Sequence, residues 1–469
     1  MRYVSTRGAA PALAFDDVLL AGLARDGGLY VPDEWPALTA DDLRAFAGLD
    51  YAELTTRVMM PFVDGTIAED DLAALIADAY RGFAHGAVAP LKQLGPGQWL
   101  MELFHGPTLA FKDLALQVVG RLFDHVLARR GARLTIVGAT SGDTGSAAIE
   151  ACRDRAALEV FILFPQGRVS EVQRRQMTTV DAANVHAIAV EGTFDDCQDL
   201  VKAMFNDAAF RDRHHLSAVN SINWARIAAQ IAYYVWAAVA LGAPGRGVSF
   251  AVPTGNFGNV FAAHAARRMG VPIASLAVGT NRNDILTRFL ETGTLSIGTV
   301  EPSLSPSMDI QVSSNFERLL FELFDRDGPA LAAAMGAFRR DGRLVLADAR
   351  WRRARALFDG HRVDDAATLA TIRRIWQSTG EILDPHSAIA VATAEACRRD
   401  PTQPMVALAC AHPAKFPDAV ERATGLRPAL PGRLADLMTR PERVAVLPND
   451  LATVEEFVAA RSARQEAMA

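Results

Sequence analysis

Through the first 90 residues hydrophobic positions recur every three to four residues, and the spacing predicts helices over 15–24, from Thr39 onward, over 50–60 and over 68–83. Asp16, Asp17, Asp41 and Asp42 fall in opening turns, where carboxylates meet the positive end of the helix dipole. The stretch G-G-L-Y-V-P at 27–32 predicts a turn and a short extended piece closed by proline. This is a mostly helical N-terminal domain, for which packing alone is a sufficient role.

From about residue 91 short apolar runs alternate with amphipathic segments. Strands are predicted over 98–104, 133–137, 159–164 and 185–190, and helices over 112–129, 146–156, 170–179 and 195–206. A long apolar helix over 224–241 interrupts the series. It resumes with a strand at 248–252, a helix to Met269 and a strand at 273–278. The remainder is mostly helical, with a last apolar strand at 405–409. Alternation of this kind predicts parallel sheet covered by helices, with ligand sites at the strand C-termini. Two separated runs predict two sheets, hence an α/β protein with two domains and a cleft between them.

Composition narrows the class. A chain of 469 residues can bury a large core in two or three domains. The net charge of −6 and the lack of a long basic run give no support for nucleic-acid binding. No apolar segment reaches the roughly 18 residues of a membrane span. The nearest, 227–241, is interrupted by Gln230, Tyr233 and Tyr234. The N-terminus lacks a basic-then-apolar signal pattern. Cys152, Cys197, Cys397 and Cys410 are far apart without metal-type spacing, which fits reduced thiols in a cytoplasmic protein and no metal site.

Candidate chemistry lies in six stretches. In F-H-G-P-T-L-A-F-K-D at 104–113, Lys112 stands inside a mostly apolar run. A buried lysine loses its proton more readily, and the free amine can form a Schiff base with an aldehyde cofactor such as pyridoxal phosphate. The alternative is a solvated Lys112–Asp113 pair at a helix start. The loop P-T-G-N-F-G-N at 253–259 lies between a strand and a helix, where free N–H groups can cradle a phosphate without a basic side chain. It matches neither nucleotide-binding glycine fingerprint. The loop T-S-G-D-T-G at 140–145 could hold a carboxylate or serve as a plain helix cap. Arg226, near Ser221 and Asn223, needs an anion if buried, supplied by a ligand or by a structural ion pair. The stretch S-S-N-F-E-R at 313–318 reads as a capping sequence as readily as a site. After the last strand, C-A-H-P-A-K-F at 410–416 occupies a ligand position, with His412 also readable as a core-edge histidine. No nucleophile elbow, H-E-x-x-H or zinc pattern is present.

Taken together, these motifs resemble the threonine synthases, pyridoxal-phosphate enzymes of the tryptophan-synthase-β fold type, in their longer bacterial and fungal branch. The resemblance runs from G-G-L-Y-V-P at 27–32 to A-H-P-A-K-F at 411–416. It implies three units: an N-terminal domain at 1–90, a smaller α/β domain at 112–222, and a larger cofactor-binding α/β domain built from 91–111 and 223–469. It implies that Lys112 is the Schiff-base lysine and proton shuttle. Gly255, Asn256, Phe257, Gly258 and Asn259 would hold the cofactor phosphate. Ser141, Gly142 and Thr144 would hold the substrate carboxylate, with Asp143 near the cofactor phenol oxygen. Cys410 takes a position where the family often has threonine facing the pyridine nitrogen, and a thiol is a weaker donor. Ser221, Asn223 and Arg226 become candidates for the substrate phosphate. The implied reaction turns O-phospho-L-homoserine and water into L-threonine and phosphate, in a monomer or homodimer. Rival readings are a keto-acid-forming lyase on the same fold, a catalytically dead ligand-binding relative, and a protein without a small-molecule site.

Overall fold

The structure, a computed structural model, describes residues 1–219 and 222–466. Its larger sheet has six strands in the order Phe358–Arg362, Ile273–Thr280, Val248–Pro253, Met405–Ala409, Gln98–Glu102 and Leu91–Gly95. All neighbours are parallel except the last pair, which forms an antiparallel edge. The smaller sheet is wholly parallel, in the order Ala445–Pro448, Val185–Glu191, Leu158–Pro165, Leu134–Ala139 and Leu216–Ser217. Its middle strand is buried at every residue, as a parallel strand covered on both faces must be.

Helix Trp224–Ala240 joins the parts. It packs on N-terminal helix Tyr51–Val63, on Lys112–Arg130 and on Gly258–Arg268. Its first residue, Trp224, is fully buried with its ring against Tyr3, Trp35 and Phe62. Truncating such a side chain costs about 3–5 kcal/mol. The N-terminal helices start as their sequence directs. Thr39 with Asp42, and Asp50 with Glu53, form reciprocal capping boxes.

Departures from the sequence reading are local but matter for the site. The helix expected over 146–156 is Asp143–Cys152, which brings Asp143 and Thr144 into its first turn. The half-exposed edge strand Phe358–Arg362 carries polar residues and lacks an apolar run. The last segment also departs. Ala445–Pro448 pairs with Val185–Glu191, and Val454 and Val458 pack against Val137, Phe161 and Ile188. The expectation that all of 223–469 builds on the larger sheet therefore fails for the C-terminal end. Among the described residues no helix is long and apolar enough to cross a membrane.

Candidate active site

The segment before Lys112 is stitched to the end of strand Met405–Ala409. Phe111 N–H donates to the Cys410 carbonyl at 2.8 Å, and His412 N–H to the Leu109 carbonyl at 3.0 Å. Leu109 takes a left-handed φ of 64°, a strained turn for a branched side chain. Lys112 then opens helix Lys112–Arg130 and is 7% exposed. The solvated-pair alternative is excluded. Asp113 is fully buried and accepts the Thr108 N–H at 2.8 Å and its hydroxyl at 2.6 Å. A Cβ on Gly106 would lie 2.3 Å from the Asp113 Cβ, so only glycine fits there. Burial holds the Lys112 pKa below the ordinary lysine value. Asp143 opposes that shift, and the charges of Lys415 and Arg226 add to it.

Asp143, in the first turn of its helix, stands with Oδ2 at 3.5 Å from Lys112 Nζ. Burial alone would raise its pKa, but the ammonium groups of Lys415 and Lys112 outweigh burial and hold the carboxyl well below the carboxylate range. Ser141 and Thr144 are partly exposed at this loop. Gly142 has a different part from the one expected. Its N–H donates to Thr140 Oγ1 at 3.0 Å, as does that of Gly145 at 2.8 Å, so the Gly142 amide is already satisfied. What Gly142 supplies is shape: φ is 137°, and a Cβ would lie 2.4 Å from Gln173 Cδ.

The loop at 255–259 follows strand Val248–Pro253 into helix Gly258–Arg268. Phe257 is the left-handed N-cap, with φ 60°, and its ring packs on Phe316 at 5.0 Å. A Cβ on Gly255 would sit 2.8 Å from the Ser307 carbonyl. First-turn N–H groups have no partner within a helix, so the loop presents donors to an anion. Asn256 is exposed, and the Asn259 Oδ1 accepts the hydroxyls of Tyr233 at 2.5 Å and Tyr234 at 2.6 Å. Asn315, from the 313–318 stretch, does not cap its helix with its side chain. Its buried Nδ2 has no partner among the described residues and would lie 3.3 Å from a Cβ on Gly258, at the same cradle.

Of the three substrate-phosphate candidates, Ser221 lies outside the described residues. Asn223 is committed elsewhere: its Oδ1 caps the long helix at Ala225 N, 3.0 Å, and its Nδ2 donates to the Leu19 carbonyl at 2.9 Å. Arg226 is 2% exposed, donates to the Val219 carbonyl at 3.3 Å, and among the described residues leaves Nε without a partner. Burial pulls its pKa down to about 10. Cys410 is buried beside Lys112, and burial pushes its thiol well up, so it stays protonated. His412 is a core-edge residue. Its Nδ1 accepts the Ala414 N–H, its ring lies 5.5 Å from that of Phe104, and burial lowers its pKa to about 4.

Residues that sequence reading left unassigned complete the centre. Lys415 is fully buried, with Nζ 2.8 Å from Asp143 Oδ1 and 2.8 Å from the Thr108 carbonyl. Gln173 donates to the same Asp143 oxygen at 2.9 Å. Asp384 caps helix Pro385–Ala396 and accepts from His386 Nδ1 at 2.6 Å. Lys415 carried the same signal as Lys112, a lysine inside an apolar stretch. A cavity of about 220 Å³ opens here, lined by Ser141, Ser170, Gln173, Ser303 and Lys415. The larger cavity, about 560 Å³, lies beside Glu102, His105 and His412 and is lined by neither Lys112 nor Asp143.

These residues fit pyridoxal phosphate. A buried amine can meet the aldehyde, and a glycine cradle with an unpartnered amide donor at Asn315 can meet the phosphate. The comparisons agree in kind. The family model described as "Pyridoxal-phosphate dependent enzyme" matches residues 87–336, flanked by "Threonine synthase N terminus" at 2–80 and "Threonine synthase, C-terminal" at 387–458. The chain is 59% identical to the threonine synthase of Pseudomonas aeruginosa, covering 98% of both chains. It is 42% identical to that of Saccharomyces cerevisiae, covering 90% of this chain and 88% of the other. The crystal structure of pyridoxal-phosphate-bound threonine synthase from Brucella melitensis matches with a TM-score of 0.96 at 54% identity, covering 98% of this chain and 99% of the other. Threonine deaminase from Solanum lycopersicum, at 15% identity and a TM-score of 0.50, shares the fold alone. By its site, its fold and its relatives, the chain belongs to the threonine synthase family of pyridoxal-phosphate-dependent enzymes.

Proposed function

We propose that this protein converts O-phospho-L-homoserine and water to L-threonine and phosphate. The observation that carries the substrate choice is Arg226, a buried guanidinium with an unpartnered Nε whose charge acts on the Lys112 amine. A buried cation lacking a carboxylate fits a substrate that brings its own dianion. Pyridoxal phosphate, when bound, supplies the electron sink for loss of the Cα proton. Lys112 Nζ holds the cofactor between turnovers and, once released, takes and returns protons at substrate carbon. Burial lowers its pKa, which eases loss of its proton. Gly255, Asn256, Phe257, Gly258 and Asn259 orient the cofactor phosphate, with Asn315 Nδ2 as a further donor. The Ser141 and Thr144 groups hold the substrate carboxylate at the start of their helix. Arg226 steadies the substrate phosphate and the charge it carries off on leaving. Cys410 offers a neutral thiol, not a strong donor, to the pyridine nitrogen. In this reading substrate enters between a smaller and a larger α/β unit, and the protein acts as a monomer or homodimer. Four unpaired cysteines suit a reducing cytoplasm.

Incubation with O-phospho-L-homoserine, measuring threonine, 2-oxobutanoate and phosphate together, tests this reading. Threonine equal to phosphate supports it. Phosphate accompanied by 2-oxobutanoate instead would move the protein to the eliminating lyases.

A further inference from the structure

Asp143 is the only carboxylate within ion-pair distance of either lysine at the centre, among the described residues, and the two lysines do not share it evenly. Lys415 Nζ lies 2.8 Å from Oδ1 and is fixed from behind by the Thr108 carbonyl at 2.8 Å. Lys112 Nζ lies 3.5 Å from Oδ2, beyond good hydrogen-bond distance. Gln173 adds a donor on the Oδ1 side at 2.9 Å. The Lys415 end is also braced. Thr108 gives its N–H and hydroxyl to Asp113 and its carbonyl to both Lys415 and Gln176. Asp113 follows Lys112 directly in the chain, so the brace closes back on the helix that carries the reacting amine. Lys415 is fully buried, so solvent does not screen it.

We propose that Lys415 is a positioning residue that holds Asp143 as its own counter-ion and so leaves the Lys112 amine free to react. The proposal rests on the reading of Lys112 as the cofactor-binding lysine. Two ammonium groups and one carboxylate in a water-poor site cannot all remain charged at low cost, and the group with fewer partners gives up its proton. Lys112 is that group. The other charges around the pair act in known directions. Arg226, from the long helix, works against a charged Lys112, and the Cys410 thiol, which would favour it only if ionised, stays protonated. Asp143 also feels His386 from helix Pro385–Ala396, whose Nδ1 is held by Asp384. Asp113, on the far side of Thr108, is pushed up to about 6 by burial, so its charge is a soft one near neutral pH.

The test measures the proton affinity of Lys112 without using turnover. Full-length protein stripped of cofactor is trace-labelled with acetic anhydride over a pH series, and the extent at Lys112 is read by peptide mass spectrometry. Lys415→Met should shift the midpoint of Lys112 reactivity to higher pH, because it removes a repelling charge and hands Asp143 to Lys112. Asp143→Asn should shift it to lower pH. Lys415→Arg should restore the wild-type midpoint. The rate at which the stripped protein takes up pyridoxal phosphate should follow the same shifts. An unchanged or lowered midpoint in Lys415→Met overturns the proposal, because a lysine that only braces the fold would lower the melting temperature and leave the midpoint in place. If Lys415→Met does not fold, the Asp143→Asn/Lys415→Met pair removes both charges together. Its midpoint should lie above that of Asp143→Asn, and equality with it overturns the proposal. Failure of Lys112→Ala to abolish turnover would refute the lysine's role in the reaction while leaving the midpoint result intact.

Discussion

At one side of the site Lys112 and Lys415 face a shared carboxylate, whereas at the other Arg226 and Arg318 have no carboxylate within salt-bridge distance among the described residues. Arg318 donates instead to the carbonyls of Tyr30 at 3.0 Å and Ile222 at 2.6 Å, and to Asn315 Oδ1. Arg226 has one long bond to a carbonyl and an unpartnered Nε. The lysine side is neutralised by the protein itself and can tune an amine. The arginine side keeps its charge, because a guanidinium resists deprotonation. Burial lowers the proton affinity of both cations, but a guanidinium starts high enough to stay charged, whereas an amine can give up its proton.

The comparison can be broken most directly at Lys112. Lys112→Ala should lower threonine release by about 1000-fold or more, as expected when the acid–base group itself is removed. A residual rate near wild type would place the reacting amine elsewhere, with Lys415 the next candidate. Asp143→Ala should then strip the lysines of their counter-ion. Leaving buried ammonium groups uncompensated costs about 3–5 kcal/mol, so the melting temperature should drop clearly.

Arg226→Met should do the reverse. It removes a buried charge that has no counter-ion, so the melting temperature should hold or rise. Meanwhile kcat/KM for O-phospho-L-homoserine should fall about 100-fold, the cost of losing one partner of a buried charge contact. If Arg226→Met melted earlier than Asp143→Ala, the contrast between the two sides would be wrong.

His264 supplies a reference for burial with no partner at all. Neither ring nitrogen is hydrogen-bonded, and burial, with Arg268 and Arg267 nearby, lowers its pKa to about 3. The folded protein keeps it neutral while the unfolded chain protonates near pH 6.5. Its contribution to stability is complete above that value and is lost as pH falls toward 3. His264→Phe, which keeps the ring contacts with Phe261 and Phe358, should flatten the acid side of the stability curve and leave stability at neutral pH almost unchanged. Denaturant titrations across that range would show it.

Much of the site could be read from sequence where the signal is local. The embedded Lys112 and the glycine loop at 255–259 each declare themselves within a dozen residues, because burial and turn geometry are short-range demands. The arrangement around them could not be read this way. Lys415 reaches the Thr108 carbonyl across a separation of 307 residues, and nothing in either neighbourhood specifies that meeting. An amide at a helix start, as at Asn223, is equally suited to a ligand or to a cap, and its side-chain bonds run to Ala225 and to Leu19, 204 residues away. The Gly142 N–H, a candidate donor to the substrate carboxylate, is bonded to Thr140 Oγ1, a contact that its own loop sequence does not announce. Among the strands, alternation exposed the buried ones. The edge strand Phe358–Arg362 is polar in most positions, and Ala445–Pro448 is only four residues long with alternate positions exposed, so neither gives a strand signal.

The pairing of Ala445–Pro448 with Val185–Glu191 has a consequence for synthesis on the ribosome. The strand that completes the smaller sheet emerges after every strand of the larger one, more than 250 residues behind its partner. Until then Val185–Glu191 is an open edge, able to pair with other chains. A nascent chain halted before residue 445 should therefore be a preferred client of chaperones and prone to aggregate. The unit bearing Asp143 becomes complete only once residues 445–448 have emerged.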